Sequence, residues 1–427
     1  MKALFNDGWV FSEYEFDSSS MYKDGEPIYF TPDQFYDLSN TQTYKSVSIP
    51  HDWMIYHVKD LYKNSIGFYK KTFKLTEDQI EDRHNAIRFE GVYMNSGVWI
   101  NGKKAGEWKY GYTAFEFDIS DLVKKGQNDI LVIVVYQDIN TRWYSGAGIF
   151  RDVTYINTSK TYLISDGVYF SSIPEDEEKL DGKWTVKIST EVAGEEEDYE
   201  IIHTICTKDG KEFAQFEGDG DEYSVESPHL WDISDPYFYY LKTELKDKNG
   251  KIIDKICQHC GFRLTKFTSD EGFFLNGKHV KIKGACHHHD LGALGSAFDK
   301  EAQRRQFNKL KEMGINSIRT SHNPPPAAWM DLCDEIGLLV DNEAYDMWEQ
   351  KKTTFDYGNY FKEWCERDTA SWVRKDRNHP SLLMWSLGNE IYDTHMATGV
   401  GITKRLKEFV LKHDPNKNGA ITIGSKS

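Results

Sequence analysis

The sequence predicts two all-β sandwiches followed by the first half of a TIM (β/α)8 barrel. Three observations carry that prediction. Up to about residue 160, and again to about 265, short β-patterned runs alternate with turn-forming clusters, with no long helical periodicity. From about 266 the pattern switches to alternating strand and helix units, the mark of a parallel sheet. Four successive predicted strands then end in polar residues capable of chemistry, as the carboxyl ends of barrel strands do.

Composition sets outer limits. The chain has 427 residues, a hydrophobic content of 39%, aromatics at 14% and a formal net charge of −16. That length suits about two to four domains, and the aromatic content suits large cores. So acidic a balance argues against a nucleic-acid partner, whose footprint is basic. No run approaches the ~18 apolar residues of a membrane helix, and the amino terminus lacks a secretory pattern. The expectation is a cytoplasmic protein with no membrane partner. Cys206, Cys257, Cys260, Cys286, Cys333 and Cys365 follow no framework pattern and are expected to be reduced. Cys257-Gln-His-Cys260 lies in a strand-like stretch, where its spacing sends the sulfurs to opposite faces. No zinc or redox pair is expected there.

The first block, residues 1–160, contains the strand-like runs Ile87-Arg-Phe, Val98-Trp-Ile and Ile130 to Tyr136, separated by turns such as Asn101-Gly-Lys-Lys. The second block, 161–265, contains Trp184-Thr-Val-Lys-Ile-Ser and Tyr239 to Leu245, which alternate as half-buried strands should. Its length and turn spacing fit a small immunoglobulin-like sandwich. The acidic run Glu195 to Glu200 reads as a solvated face or turn.

The third block, 266–427, opens with a strand candidate, His279 to Cys286. A helix over Asp299–Met313 follows, with Phe307, Leu310 and Met313 on one face. Ile315–Arg319 is the second strand. The next helix places Trp329, Leu332, Cys333 and Ile336 at i, i+3, i+4 and i+7 and stops at Gly337. Leu338–Asp341 is the third strand, and a helix from about Tyr360 to Lys375 leads to a fourth strand, Leu382–Leu387. Ile402, Leu406, Phe409 and Val410 stripe the fourth helix, and Ala420 begins a fifth strand. A complete barrel needs ~250 residues, more than this block has.

The strand ends carry the chemistry. They read His287-His-His-Asp290, Arg319-Thr-Ser-His322, Glu343-Ala-Tyr-Asp346 and Asn389-Glu390. By residue type alone, Glu390 reads equally as a catalytic acid or as half of a structural ion pair. Four such clusters on one rim favour a site, because charged groups are seldom buried without partners. The three histidines do not suggest zinc, since successive strand residues point alternately in and out.

The stretch Arg377-Asn-His-Pro-Ser-Leu-Leu-Met-Trp-Ser-Leu-Gly-Asn-Glu390 resembles the acid/base signature of family-2 glycoside hydrolases, the retaining β-galactosidases, β-glucuronidases and β-mannosidases. Asn316 to Pro325 resembles the family's other signature, and Lys281 to Gly292 its first-strand motif. Gly91 to Gly102, Pro50-His-Asp-Trp53 and Arg142 to Asp152 are similar to its jelly-roll-like sugar-binding domain. Pro228-His-Leu-Trp231 and Gly261-Phe-Arg263 are similar to its middle domain. The resemblance implies that Glu390 is the proton donor and later base, and that Asn389 binds the sugar 2-hydroxyl. It implies that His288 and Asp290 bind hydroxyls, that Arg319 orients the nucleophile, and that His322 contacts the sugar or the reacting carboxylates. Glu343 is expected to be structural and Asp346 to bind substrate. The Glu and His that hold magnesium in well-studied relatives are not reproduced in Tyr345-Asp-Met-Trp348, so no metal and no cofactor are expected.

A retaining mechanism needs a second carboxylate ~5–5.5 Å from the first. The family's nucleophile lies on the seventh barrel strand, so it is expected to be absent from this chain, which would then have little activity alone. Glu390 is expected to have a raised pKa in a half-buried cleft. Trp143 and Tyr144 could stack on a sugar or pack between domains. β-Galactosidase is the favoured activity; β-glucuronidase and a non-catalytic carbohydrate-binding protein are the alternatives. The expected partners are a carbohydrate and, at most, further copies of the same chain.

Overall fold

The computed structural model describes residues 1–194, 198–220 and 222–424. Of the acidic run expected as a solvated turn, residues 195–197 lie outside the described residues.

The amino-terminal block folds as two antiparallel sheets. One has six strands in the order Lys45–Val47, Trp9–Glu15, Ser65–Leu75, Gly126–Tyr136, Ser96–Ile100, Lys103–Trp108. The other has four: Lys2–Leu4, Val153–Ser159, Arg83–Phe89 and Phe115–Asp118. The run Ile130–Tyr136 is apolar at every position because both of its faces are covered. Ile130, Val132, Val134 and Tyr136 join the inter-sheet core. Leu131, Ile133 and Val135 pack under Phe30, Phe35, Tyr36 and Leu38 of the preceding irregular segment. This architecture is the jelly-roll-like sandwich that the sequence predicts.

The second block packs a three-stranded sheet (Tyr162–Pro174, Lys183–Ala193, Glu222–Glu226) on a four-stranded one (Glu212–Glu217, Tyr199–Cys206, Tyr239–Asp247, Ile252–Cys260). Trp184, Phe170, Tyr239 and Phe262 form its immunoglobulin-like core. All six cysteines are unpaired; Cys260 is buried and Cys257 exposed, on opposite faces of their strand.

The third block is a parallel sheet of five strands in sequence order: β1 (Gly284–His288), β2 (Ser317–Ser321), β3 (Leu339–Glu343), β4 (Leu382–Ser386) and β5 (Ala420–Thr422). The helices between them are α1 (Lys300–Glu312), α2 (Ala327–Ile336), α3 (Gly358–Asp376) and α4 (Gly399–His413). This is the partial TIM barrel of the prediction. Local chemistry sets the ends. Asp299 caps α1 by accepting from Ala302 N at 2.7 Å. Gly337 ends α2 at φ +81°, where a Cβ would sit 2.6 Å from Ile233 O.

Two details differ from the prediction. The first strand begins at Gly284, not His279, because Lys278–His279 pairs instead into a small antiparallel sheet with Thr265–Thr268 and Gly272–Leu275. Met313 is 76% exposed; it lies past the last turn of α1, beyond the reach of the neighbouring helix. The small sheet closes the barrel floor: Phe273 and Leu275 pack with Trp231, Phe238, Leu339 and Leu383.

The first sandwich is fused to the barrel by aromatic packing. Tyr110 lies 4.2 Å from the Tyr357 ring and 5.5 Å from Tyr345, between centroids, and its hydroxyl donates to the Ala344 carbonyl. Thr113 Oγ1 donates to Asp368 Oδ1 at 2.6 Å. Tyr110→Phe leaves a buried carbonyl unpaired and is expected to cost about 1–2 kcal/mol, read as a lowered urea midpoint.

Candidate active site

Loops from four strands meet at the carboxyl end of the barrel sheet, and one loop of the first sandwich reaches over them. At the centre is a carboxylate with no exposed surface. Glu343, the last residue of β3, is 0% exposed. Its Oε2 accepts from Arg319 Nη2 at 2.6 Å and from Ser386 Oγ at 2.5 Å, and its Oε1 lies 2.6 Å from His322 Nδ1. Register explains the convergence. Arg319 pairs opposite Asp341 and Glu343 opposite Ser386, so alternation sends these side chains to one interior face. A buried charge needs such partners. Glu343 is closed to any ligand; what it does here is hold Arg319 and His322.

Arg319 Nη2 also donates to Asn389 Oδ1 at 3.0 Å, while Asn389 Nδ2 donates to Asp346 Oδ1 at 2.8 Å. The amide is thereby oriented from both ends. Asp346, 4% exposed, receives three further bonds. Arg142 Nε reaches Oδ2 at 3.0 Å, Arg142 Nη2 reaches Oδ1 at 2.6 Å, and Lys352 Nζ reaches Oδ1 at 2.8 Å. Three of the four donors fall on Oδ1 and one on Oδ2, so Oδ2 keeps an acceptor site. Asp346 thereby holds Asn389, Arg142 and Lys352 in place.

The three histidines diverge. His287 Nε2 lies 2.9 Å from Gln306 Oε1, behind the strand and against Phe307. His289 Nε2 lies 3.2 Å from Ser145 O, and burial pushes its pKa down to about 3. Only His288 faces the rim, where its ring lies 5.5 Å from His322 and 5.2 Å from Trp143. Trp143 is half-buried and also lies 5.3 Å from His322. Tyr144 is not free to stack, since its hydroxyl donates to Asp52 Oδ2 at 2.5 Å. Asp290, half-buried, follows on the same loop, and its charge is felt by Tyr144 and His288.

Glu390 departs from expectation in two ways. Its side chain is 51% exposed rather than half-buried in a cleft, because the five strands form an open sheet with its outer side to solvent. Its pKa is lowered, not raised. Arg142 Nη1 donates to Oε2 at 2.8 Å, and that hydrogen bond with the guanidinium charge favours the carboxylate. Glu390 also sits at φ +45°. A non-glycine residue in that region costs about 1–2 kcal/mol, the kind of strain that gathers at functional sites.

Sequence reasoning missed three residues. Arg142 joins Glu390 across 248 positions, and no local pattern marks which loop arginine will do so. Lys352 is buried against Asp346 and Asn389 O, the latter at 2.8 Å; burial lowers its pKa. Asp341 lies on the same strand face as Glu343, and burial followed by the Glu343 charge pushes its pKa up to about 7. Period-two alternation from Glu343 was the signal that could have found it. Among the described residues, the clusters of histidine and carboxylate close enough to suggest a metal are His259, Asp331, Asp334, His379 and Glu13, Glu15, His57. Neither includes Glu343, Asp346 or Glu390.

Comparison with known proteins identifies the family. The family model described as "Glycosyl hydrolases family 2, sugar binding domain" matches residues 23–159. "Glycosyl hydrolases family 2" matches 167–263, and "Glycosyl hydrolases family 2, TIM barrel domain" matches 267–418. The chain is 37% identical over 377 residues to the beta-galactosidase BoGH2A of Bacteroides ovatus, covering 82% of this chain and 44% of that protein. It is 29% identical over 406 residues to a beta-glucuronidase of Bacteroides fragilis, covering 87% and 57%. The crystal structure of a beta-glycosidase from Bacteroides vulgatus superposes with a TM-score of 0.86 at 32% identity, over 99% of this chain and 54% of that one. The chain thus spans about half the length of the curated relatives it matches. Three models of one family tile it nearly end to end: the chain belongs to glycoside hydrolase family 2.

Proposed function

We propose that this chain carries the acid/base half of a retaining β-glycosidase site, with a β-galactoside as the favoured substrate. The observation that carries the reading is the pinning of Asn389 between Arg319 and Asp346. With its amide fixed, the next residue, Glu390, follows the carboxyl end of β4, where it meets Arg142. A glycosidic oxygen there would take its proton from Glu390, and water would later return one to it. His288, Asp290 and Asn389 offer hydrogen bonds to sugar hydroxyls, and Trp143 offers a ring face. Arg319, held by Glu343, is preset to orient a second carboxylate. Of the rim carboxylates, Glu343 is covered and Asp346 is held by Arg142, Lys352 and Asn389. The reading assigns Glu390 the acid/base role and leaves the nucleophile to a second carboxylate.

Calorimetry with galactose and glucuronic acid tests the substrate class. Galactose is expected to bind, and Asn389→Ala to weaken binding by about tenfold, the loss of one hydrogen bond worth ~1.5 kcal/mol. Preference for glucuronic acid would favour the β-glucuronidase reading. A chromogenic β-galactoside tests the division of the site: turnover by this chain at ordinary enzyme rates of ~1–1000 per second would show that its nucleophile is present.

A further inference from the structure

Among the described residues, Arg142 is the one side chain that the first sandwich sends onto both Asp346 and Glu390. It follows the long strand Gly126–Tyr136 on a loop whose Asn140 and Thr141 are buried. Asn140 is tied in by its Nδ2, which donates to Gln137 O at 2.8 Å, and by Tyr93 OH, which donates to its Oδ1 at 2.8 Å. The arginine is therefore launched from a fixed base. Its Nε and Nη2 fork onto Asp346, the geometry that a planar guanidinium makes best with a carboxylate. Asp346 is in turn fixed by Lys352 and Asn389. Every bond that anchors Arg142 thus lies away from Glu390, and Nη1 is left to reach Glu390 Oε2 at 2.8 Å.

We propose that Arg142 is a positioning residue of the acid/base site, a latch from the sandwich that docks on Asp346 and holds the Glu390 carboxyl through Nη1. The inference rests on the reading of Glu390 as the acid/base. Its consequence is an asymmetry between the two halves of a retaining reaction. Held by Arg142, Glu390 stands as the carboxylate, the form that takes a proton from attacking water in the second half. The first half needs the protonated form, since the proton leaves Glu390 for the glycosidic oxygen. The Nη1–Oε2 contact must loosen for that proton to be carried. The fork onto Asp346 lets it loosen without freeing the arginine, because two of its three bonds are made elsewhere.

The groups facing Glu390 can be named. Arg142 comes from the sandwich, Lys352 from the loop after β3 and His322 from the loop after β2; all three favour the carboxylate. Among the described residues, Arg142 alone hydrogen-bonds it. Removing that bond should therefore move the Glu390 titration more than removing either of the others.

The test is a carbon-13 NMR titration of the Glu390 side-chain carboxyl in the full chain, with Glu390→Gln used to assign the resonance. In Arg142→Met the midpoint is expected to move up, and the movement to shrink as salt is added to the wild type. Arg142→Lys keeps a charge but loses the fork, and should restore the midpoint in part. Arg142→Met with an unchanged melting temperature and an unmoved Glu390 midpoint would overturn the proposal. If Arg142→Met proves poorly folded, Arg142→Gln, which keeps a polar side chain but no charge, gives the same reading; no upward movement there would equally overturn the proposal. Sugar binding does not enter this measurement, so failure of the glycosidase reading, seen by calorimetry, is distinguishable from failure of the latch.

Discussion

Arg319→Met is expected to destabilise the barrel by about 3–5 kcal/mol, the cost of breaking one side of a buried ion pair. The sign and size follow from which partner is stranded. Arg319 keeps some contact with solvent and has other acceptors, with Asn389 Oδ1 at 3.0 Å and Asp341 Oδ2 at 3.8 Å. Glu343 has no exposed surface. Removing the arginine leaves a carboxylate that cannot reach water, supported only by His322 and Ser386. Removing the carboxylate leaves a guanidinium that can turn outward. Glu343→Gln is therefore expected to cost less than Arg319→Met. Urea denaturation followed by tryptophan fluorescence reads both, because Trp329, Trp348, Trp372 and Trp385 are all buried in the barrel block. The double variant Arg319→Met, Glu343→Leu should recover much of the loss, since replacing both charges with apolar groups is often neutral. A double variant that loses the sum of the single costs would show that the pair is not coupled.

That pair also shows how far the sequence could be read. The strands and helices around it follow from periodicity: α2 places Trp329, Leu332 and Cys333 inward and stops at a left-handed glycine, as its pattern predicts. The rim follows too, because the ends of parallel strands fall on one side of a sheet. Alternation alone separates His288 from His287 and His289. Occupancy was not legible. Asp346 reads as a substrate ligand, with no sign of the bonds it takes from Arg142 and Lys352. Glu390 reads as a half-buried acid of raised pKa until a guanidinium from the sandwich is found on it. Both gaps have one main cause. Strand register is set by neighbours in the chain, but the charge facing a carboxylate is set by how two domains dock, across more than two hundred residues.

Docking of the second sandwich gives the other large effect, and it depends on pH. Asp334 of α2 is 0% exposed. Its Oδ2 lies 2.9 Å from His259 Nδ1, on an immunoglobulin-like strand, and 2.6 Å from His379 Nδ1, just before β4. Ser381 N donates to its Oδ1 at 3.0 Å. Burial works against the charge on His379, but the Asp334 carboxylate, with Asp331 and Asp376 nearby, outweighs it and lifts its pKa to about 9. Burial likewise opposes the charge on Asp334, yet the two histidines hold its pKa well below the ordinary carboxylate range. A histidine whose pKa rises on folding adds stability that is whole below ~6.5 and is lost as pH climbs through 9. An aspartate whose pKa falls adds stability that is present above ~3.9 and is lost in acid. Stability should therefore hold from about pH 4 to 6.5 and then decline by about 3 kcal/mol toward pH 9. Asp334→Asn is expected to cost about 3–5 kcal/mol at pH 6. At pH 9.5 it should cost much less, because His379 is by then neutral in the wild type as well. Urea midpoints at the two pH values measure the difference. Equal losses at both would mean that Asp334 acts there through hydrogen bonds alone, with no charged histidine in the joint between the sandwich and the barrel.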